Sequence, residues 1–83
     1  MHYPIITPEQ LPAMLRSLRQ RAGLTQAQLA ERLGISQQSY ARLEARPATA
    51  SVERLSKLLR ALDAELVIRT RDDKPPAVSD EAW

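Results

Sequence analysis

Leu11, Met14, Leu15 and Leu18 recur at i, i+3, i+4 and i+7, the spacing that gathers apolar side chains on one face of a helix. The pattern predicts a first helix from about Pro8 to Ala22, with Thr7 as N-cap, Gln10 closing a capping box, Pro8 in the tolerated first position and Gly23 as the stop. Pro12 has no N–H to give back to Pro8, so either the first turn is distorted or the regular helix starts there. A second helix begins at the Thr25 cap, with Gln28 completing another box, and ends at Gly34; a third begins at the Ser36 cap and runs to about Ala45, where Pro47 blocks continuation. A fourth starts at Ser51 and lines up Val52, Leu55, Leu58, Leu59 and Leu62 as its buried stripe. An apolar residue precedes each of the first three caps and faces one in the second turn, giving the staple pairs Ile6–Leu11, Leu24–Leu29 and Ile35–Tyr40.

The period changes over residues 65–71. Leu66, Ile68 and Thr70 point one way and Val67, Arg69 and Arg71 the other, and the run is rich in β-branched residues, as in a strand. Everything before it is helical, so the economical partner is the same strand of a second copy. The expected fold is therefore all-α, with four main helices and one C-terminal strand that forms an intermolecular two-stranded sheet in a homodimer. Leu66, Val67, Ile68, Arg69 and Thr70 are its dimerisation residues. A last helical turn fading into coil is the alternative.

Composition divides the chain into a domain at 1–71 and an acidic tail at 72–83, expected to be disordered. The net charge of +2 hides a balance of +5 in the first part and −3 in the second. A basic body with an acidic tail suits a nucleic-acid binder, although such a body is also ordinary for a soluble domain. Trp83, the last residue and the one tryptophan, suits an anchor for a partner's pocket; folding back on its own domain is the alternative. The N-terminus lacks the pattern of a signal peptide and no apolar run approaches membrane-spanning length, so a cytoplasmic, nucleoid-associated protein with no membrane partner is expected. There is no cysteine, His2 is the one histidine, and neither a metal-ligand spacing nor a glycine-rich phosphate loop occurs. No enzyme activity, metal or cofactor is expected.

The chemistry concentrates in residues 25–44. They read as two short helices joined by a tight turn, with Ala30 where the helices cross closely and Gly34 where the backbone turns left-handed. The second of these helices opens with Ser36, Gln37, Gln38 and Ser39. A glutamine amide carries one donor and one acceptor side by side, matching N6 and N7 of adenine, and Arg42 lies one turn after Gln38, within reach of a guanine or a phosphate. Lysine and glutamate would fill a merely solvated helix face better than this polar cluster does. Double-stranded DNA is the expected ligand.

These residues resemble the helix-turn-helix of the lambda repressor/Cro (XRE) family. The resemblance implies a lambda repressor-like fold in which Gln37, Gln38 and Arg42 read bases, with Ser36 beside them. It implies that Gln26 touches a phosphate and braces the first recognition glutamine. Ala30, Gly34, Tyr40 and Leu43 match the family's small, turn and apolar positions, although Tyr40 stands where Ile or Val is more usual. Arg19 and Glu44 match an arginine late in helix one and a glutamate ending helix three that many members pair. Thr25, Ser39 and Arg46, with Thr49 after Pro47, join Arg19 as phosphate candidates.

The lead-in Thr7-Pro8-Glu9-Gln10-Leu11, the helix-turn-helix, the fourth helix running into a hydrophobic strand and the acidic tail ending in tryptophan together look like HipB-type antitoxins. That likeness implies dimerisation through the C-terminal strand, binding to a palindromic operator, repression of the chain's own operon and neutralisation of a HipA-type serine/threonine kinase toxin. Two readings stand beside it: a stand-alone XRE-type regulator without a toxin, and a helix-turn-helix fold used only for protein interaction.

Overall fold

Four α-helices follow one another in the computed structural model, which describes residues 4–70: α1 (Leu11–Arg21), α2 (Gln26–Leu33), α3 (Gln37–Ala45) and α4 (Val52–Ala61). Single 3-10 turns lead into α1 at Pro8–Gln10 and join α3 to α4 at Pro47–Thr49.

Short polar side chains set the helix starts. Thr25 Oγ1 accepts the Gln28 N–H at 3.1 Å while Gln28 Oε1 accepts the Thr25 N–H at 2.9 Å, a complete capping box on α2. Ser36 and Ser51 cap α3 and α4 by accepting the N–H groups of Ser39 (3.0 Å) and Arg54 (3.1 Å).

The ends of α1, α2 and α4 share one closure. A residue with positive φ (Gly23, Gly34 or Asp63) follows each helix. The next N–H then reaches back to the last turn, from Leu24 to Arg19 O, from Ile35 to Ala30 O and from Ala64 to Leu59 O. Leu24 and Ile35 therefore do two jobs. Each closes one helix, and each immediately precedes the cap of the next while packing against the core that holds Leu29 and Tyr40. Leu24 and Ile35 thus pack on the core where two of the three staples were expected, while also closing the preceding helix.

The start of the first helix is corrected. Pro8–Gln10 is a 3-10 turn, and regular helix begins at Leu11, whose N–H takes the Pro8 carbonyl. Pro12 cannot donate to that carbonyl, so the turn tightens to i→i+3, and Pro12 falls among first-turn residues whose N–H groups need no intrahelical acceptor. Gln10 Oε1 still caps the turn, accepting from the N–H groups of Thr7 (3.0 Å) and Ile6 (2.6 Å). The expected Ile6–Leu11 staple does not form, because Ile6 is 74% exposed.

The core is one cluster drawn from all four helices: Leu15, Leu29, Ala30, Tyr40, Leu43, Leu58, Leu59 and Leu62. Within it α2 packs on α3 and α4, and α1 on α3. Ala30 is buried in α2, where a larger side chain would push the two helices of the motif apart. Val52, expected in the buried stripe of α4, is instead exposed. It occupies the first position of that helix, at the edge of the stripe, and so projects beyond the core.

Among the described residues there is no strand. Residues 65–70 are neither helix nor strand in the single chain, and Leu66, Val67 and Ile68 all stand exposed. The left-handed Asp63 ends α4, and residues 64–70 run on as coil, as the alternative of a last helical turn fading into coil expects of the single chain. A strand needs a second edge to bond to, and a chain that is otherwise helical provides none. Arg71, the tail with Trp83, and residues 1–3 with His2 lie outside the described residues.

Candidate nucleic-acid interface

The first turn of α3 presents Gln37, Gln38 and Ser39, all exposed, and Arg42 follows on the outer surface one turn later. Ser36 is tied down more tightly than a free reader would be: its hydroxyl accepts the Ser39 N–H and also donates to Ser39 Oγ at 2.9 Å. The predicted base-reading glutamines thus emerge from a fixed helix start, with neither amide hydrogen-bonded among the described residues. At the N-terminus of α2, Thr25 is exposed and spent on its capping box, and Gln26 is half-buried.

Behind this surface lies a buried polar cluster centred on Glu44, whose residue is 3% exposed. Arg19 grips its carboxylate with a fork, Nε to Oε2 at 2.7 Å and Nη2 to Oε1 at 3.3 Å, and its remaining nitrogen Nη1 donates to the Leu24 carbonyl at 2.9 Å. The Tyr40 hydroxyl donates to Oε2 at 2.6 Å and Gln26 Nε2 to Oε1 at 3.4 Å. Arg16 Nε stands 3.9 Å from the same oxygen. No buried side-chain polar atom among the described residues lacks a partner, so the cluster meets the condition under which a buried ion pair is tolerable.

The electrostatics follow from these contacts. Burial by itself would raise the Glu44 pKa, but hydrogen bonds from Arg19, Tyr40 and Gln26 and the Arg19 charge together outweigh it and hold the carboxyl below its ordinary value. Burial first, and then the neighbouring carboxylate, push the Tyr40 phenol well above its usual range, so it remains a donor at any physiological pH. The cluster joins α1, α2 and α3 through one carboxylate, which locks the recognition helix to the scaffold.

The remaining predicted positions divide by exposure. Arg19 is 12% exposed at its side chain, with all three of its guanidinium nitrogens hydrogen-bonded within the fold, so it braces the helix from inside. Arg46 and Thr49 are exposed just after α3, and Thr49 Oγ1 donates to the Arg46 carbonyl at 2.8 Å. Ser39, Arg42, Arg46 and Thr49 border one hollow of about 130 Å³, to which α4 adds Arg54. Leu66, Val67, Ile68, Arg69 and Thr70 are exposed beyond α4, away from this group in sequence and outside the core cluster.

Sequence reasoning missed Arg16, Arg54 and the carboxylate partner of Gln26. The signal for Arg16 was its place one turn before Arg19 on α1; Arg54 had none, because its position depends on how the loop after Pro47 turns back.

Fold and site together define a helix-turn-helix protein, and the sequence profile described as "Helix-turn-helix" matches residues 15–68. The chain belongs to this helix-turn-helix family, in the lambda repressor/Cro (XRE) form that its motif resembles. Among characterised relatives it is similar to antitoxin HipB of Escherichia coli O6:H1 strain CFT073, 27% identical over 77 residues that cover 93% of this chain and 82% of the relative. It is also similar to antitoxin HipB of Escherichia coli K12, 26% identical over 77 residues that cover 93% and 88%. Solved structures agree. A chain of the HipA–HipB–O2–O3 complex superposes with a TM-score of 0.73 at 27% identity, covering 84% of this chain and 99% of that one. A chain of a HipB–O1–O2 complex does so with 0.73 at 28%, covering 83% and 100%. No helix among the described residues is long and apolar enough to cross a membrane.

Proposed function

We propose that the chain is a sequence-specific DNA-binding repressor and the antitoxin of a toxin–antitoxin module, repressing its own operon and neutralising a HipA-type serine/threonine kinase without performing chemistry itself. The observation that carries the DNA-binding half is the exposed Gln37–Gln38 pair on a helix start locked from behind by the Arg19–Tyr40–Gln26 grip on Glu44. A reader of base edges needs such rigidity, because a hydrogen-bonded amide discriminates bases only when its position is set before contact.

In this reading two chains pair residues 65–71 as a two-stranded sheet. Exposed Leu66, Val67 and Ile68 support it, since a single chain leaves them uncovered. The pairing presents two copies of α3 about one DNA turn apart, ~34 Å, to successive major grooves of a palindromic operator. Gln37, Gln38 and Arg42 read bases beside Ser36, while Thr25, Gln26, Ser39, Arg46 and Thr49 meet phosphates, with Arg19 supporting them from within. The antitoxin half rests on similarity to HipB over 93% of the chain and to a chain of the HipA–HipB–O2–O3 complex. Trp83 anchors the kinase, and the protein works in the bacterial cytoplasm.

The test is pull-down of the intact protein from its host together with a binding assay on the DNA upstream of its gene. Tight, salt-sensitive binding to that DNA and capture of a kinase, reduced when Trp83 is deleted, are expected. DNA binding without a kinase partner would make it a stand-alone regulator, and a protein partner without DNA binding would reduce the fold to an interaction module.

A further inference from the structure

Arg42 of α3, Arg46 just after that helix and Arg54 of α4 border the hollow beside the recognition helix, and no ion pair among the described residues uses their charge. Ser39, Arg42, Leu43 and Arg46 fall at i, i+3, i+4 and i+7, so Arg42 and Arg46 border the same hollow of about 130 Å³, which buried Leu43 also lines. Arg54 closes the far side from the first turn of α4, its backbone fixed by the 3.1 Å bond from its N–H to Ser51 Oγ. Arg46 is anchored through its carbonyl, which accepts both the N–H (3.3 Å) and the hydroxyl (2.8 Å) of Thr49.

No carboxylate borders the hollow, and none of Arg42, Arg46 and Arg54 forms an ion pair among the described residues. Arg19 is the contrast, with each of its guanidinium nitrogens donating inside the fold. The neighbouring acid, Glu53, faces Lys57 along α4 at 4.0 Å. Arg54 also lies in the first turn of its helix, the end at which the macrodipole disfavours a cation. Among the described residues nothing offsets this gathering of exposed positive charge, which leaves it open to an anion. A planar guanidinium matches the paired oxygens of a phosphate better than any other side chain does.

We infer that Arg42, Arg46 and Arg54 form a single cradle for one backbone phosphate of the bound duplex, with Arg54 as a contact beyond the helix-turn-helix motif itself. The inference rests on the DNA-binding reading above. It also moves Arg42 from reading bases to holding the backbone, leaving sequence discrimination to the glutamines at the start of α3.

The full-length chain and the variants Arg54→Gln, Arg42→Gln and Arg60→Gln are titrated against the DNA upstream of their own gene and against a random duplex of equal length, over a range of salt. Arg60, exposed in the last turn of α4, controls for the loss of one charge. The cradle predicts that Arg54→Gln and Arg42→Gln each lose roughly five- to tenfold in affinity on both duplexes. Each lowers the salt slope by less than about one unit, because the two remaining arginines still neutralise the same phosphate, and leaves the unfolding midpoint unchanged. Arg60→Gln stays near the parent. Unchanged binding by Arg54→Gln, a loss in Arg42→Gln confined to the upstream DNA, or an equal loss in Arg60→Gln overturns the cradle. Failure of the parent chain to bind either duplex overturns the DNA-binding reading, and the cradle with it.

Discussion

Tyr40 donates its hydroxyl to Glu44 Oε2 at 2.6 Å, one turn further along α3, and both residues are buried. The tyrosine ring fills a place where the motif calls for an aliphatic side chain. Its hydroxyl supplies the buried carboxylate with a neutral donor beside the charged fork of Arg19. Tyr40→Phe keeps the packing and removes that donor. It is expected to lower the unfolding free energy by about 1–3 kcal/mol in a urea titration. Unchanged stability would mean that Arg19 and Gln26 satisfy Glu44 without help.

The same carboxylate sets an acid limit. The folded-state pKa of Glu44 lies below its ordinary value of 4.5, so the unfolded chain takes up the proton first as pH falls. Stability from this group is fully present above 4.5 and is lost as pH descends from there through the lower folded value. Unfolding midpoints measured from neutral pH downward should therefore stay level and then fall in that acid range. Glu44→Gln should begin lower at neutral pH and show a shallower acid decline, and an identical decline in both would remove Glu44 from the account.

Gly34 carries φ +71°, and a Cβ built there meets nothing within 4 Å. The requirement for glycine is therefore purely conformational. Gly34→Ala is expected to cost roughly 1–2 kcal/mol of stability, and Gly34→Asn less, since asparagine tolerates the left-handed region. Calorimetry on the two variants checks the order; an alanine that costs nothing would show that the turn relaxes to another shape.

What the sequence made legible was local. Thr25, Ser36 and Ser51 mark helix starts because capping is a contact within three residues, and Gly23 and Gly34 mark ends because positive φ is a property of one residue. The pairing of Arg19 with Glu44, 25 residues apart, was reachable only through resemblance to a family. Gln26 and Arg16 joined that cluster unannounced, since their proximity depends on how α1 and α2 cross α3. Ile6 was misjudged from the staple pattern and Val52 from periodicity. Both are local patterns that say nothing of how far the core extends, and both residues lie at its margin. Arg54 was invisible because its role depends on the path of the loop after Pro47.

Leu66, Val67 and Ile68 are exposed in succession, which a lone chain leaves in water on both faces. If these residues pair with a second copy, Ile68→Asp should shift the protein from dimer toward monomer in sedimentation velocity. Its unfolding midpoint should fall and lose its dependence on protein concentration. A dimer of undiminished strength in that variant would place the interface elsewhere.

The central claim is that the start of α3 reads bases, and Gln37→Ala tests it most directly. The variant removes one exposed amide and leaves the Ser36 cap and the Glu44 cluster untouched. Titrated against the DNA upstream of its own gene and against a random duplex in the same salt, it should lose ~1–3 kcal/mol on the first and almost nothing on the second. An equal loss on the two duplexes would contradict the claim and reduce Gln37 to a backbone contact.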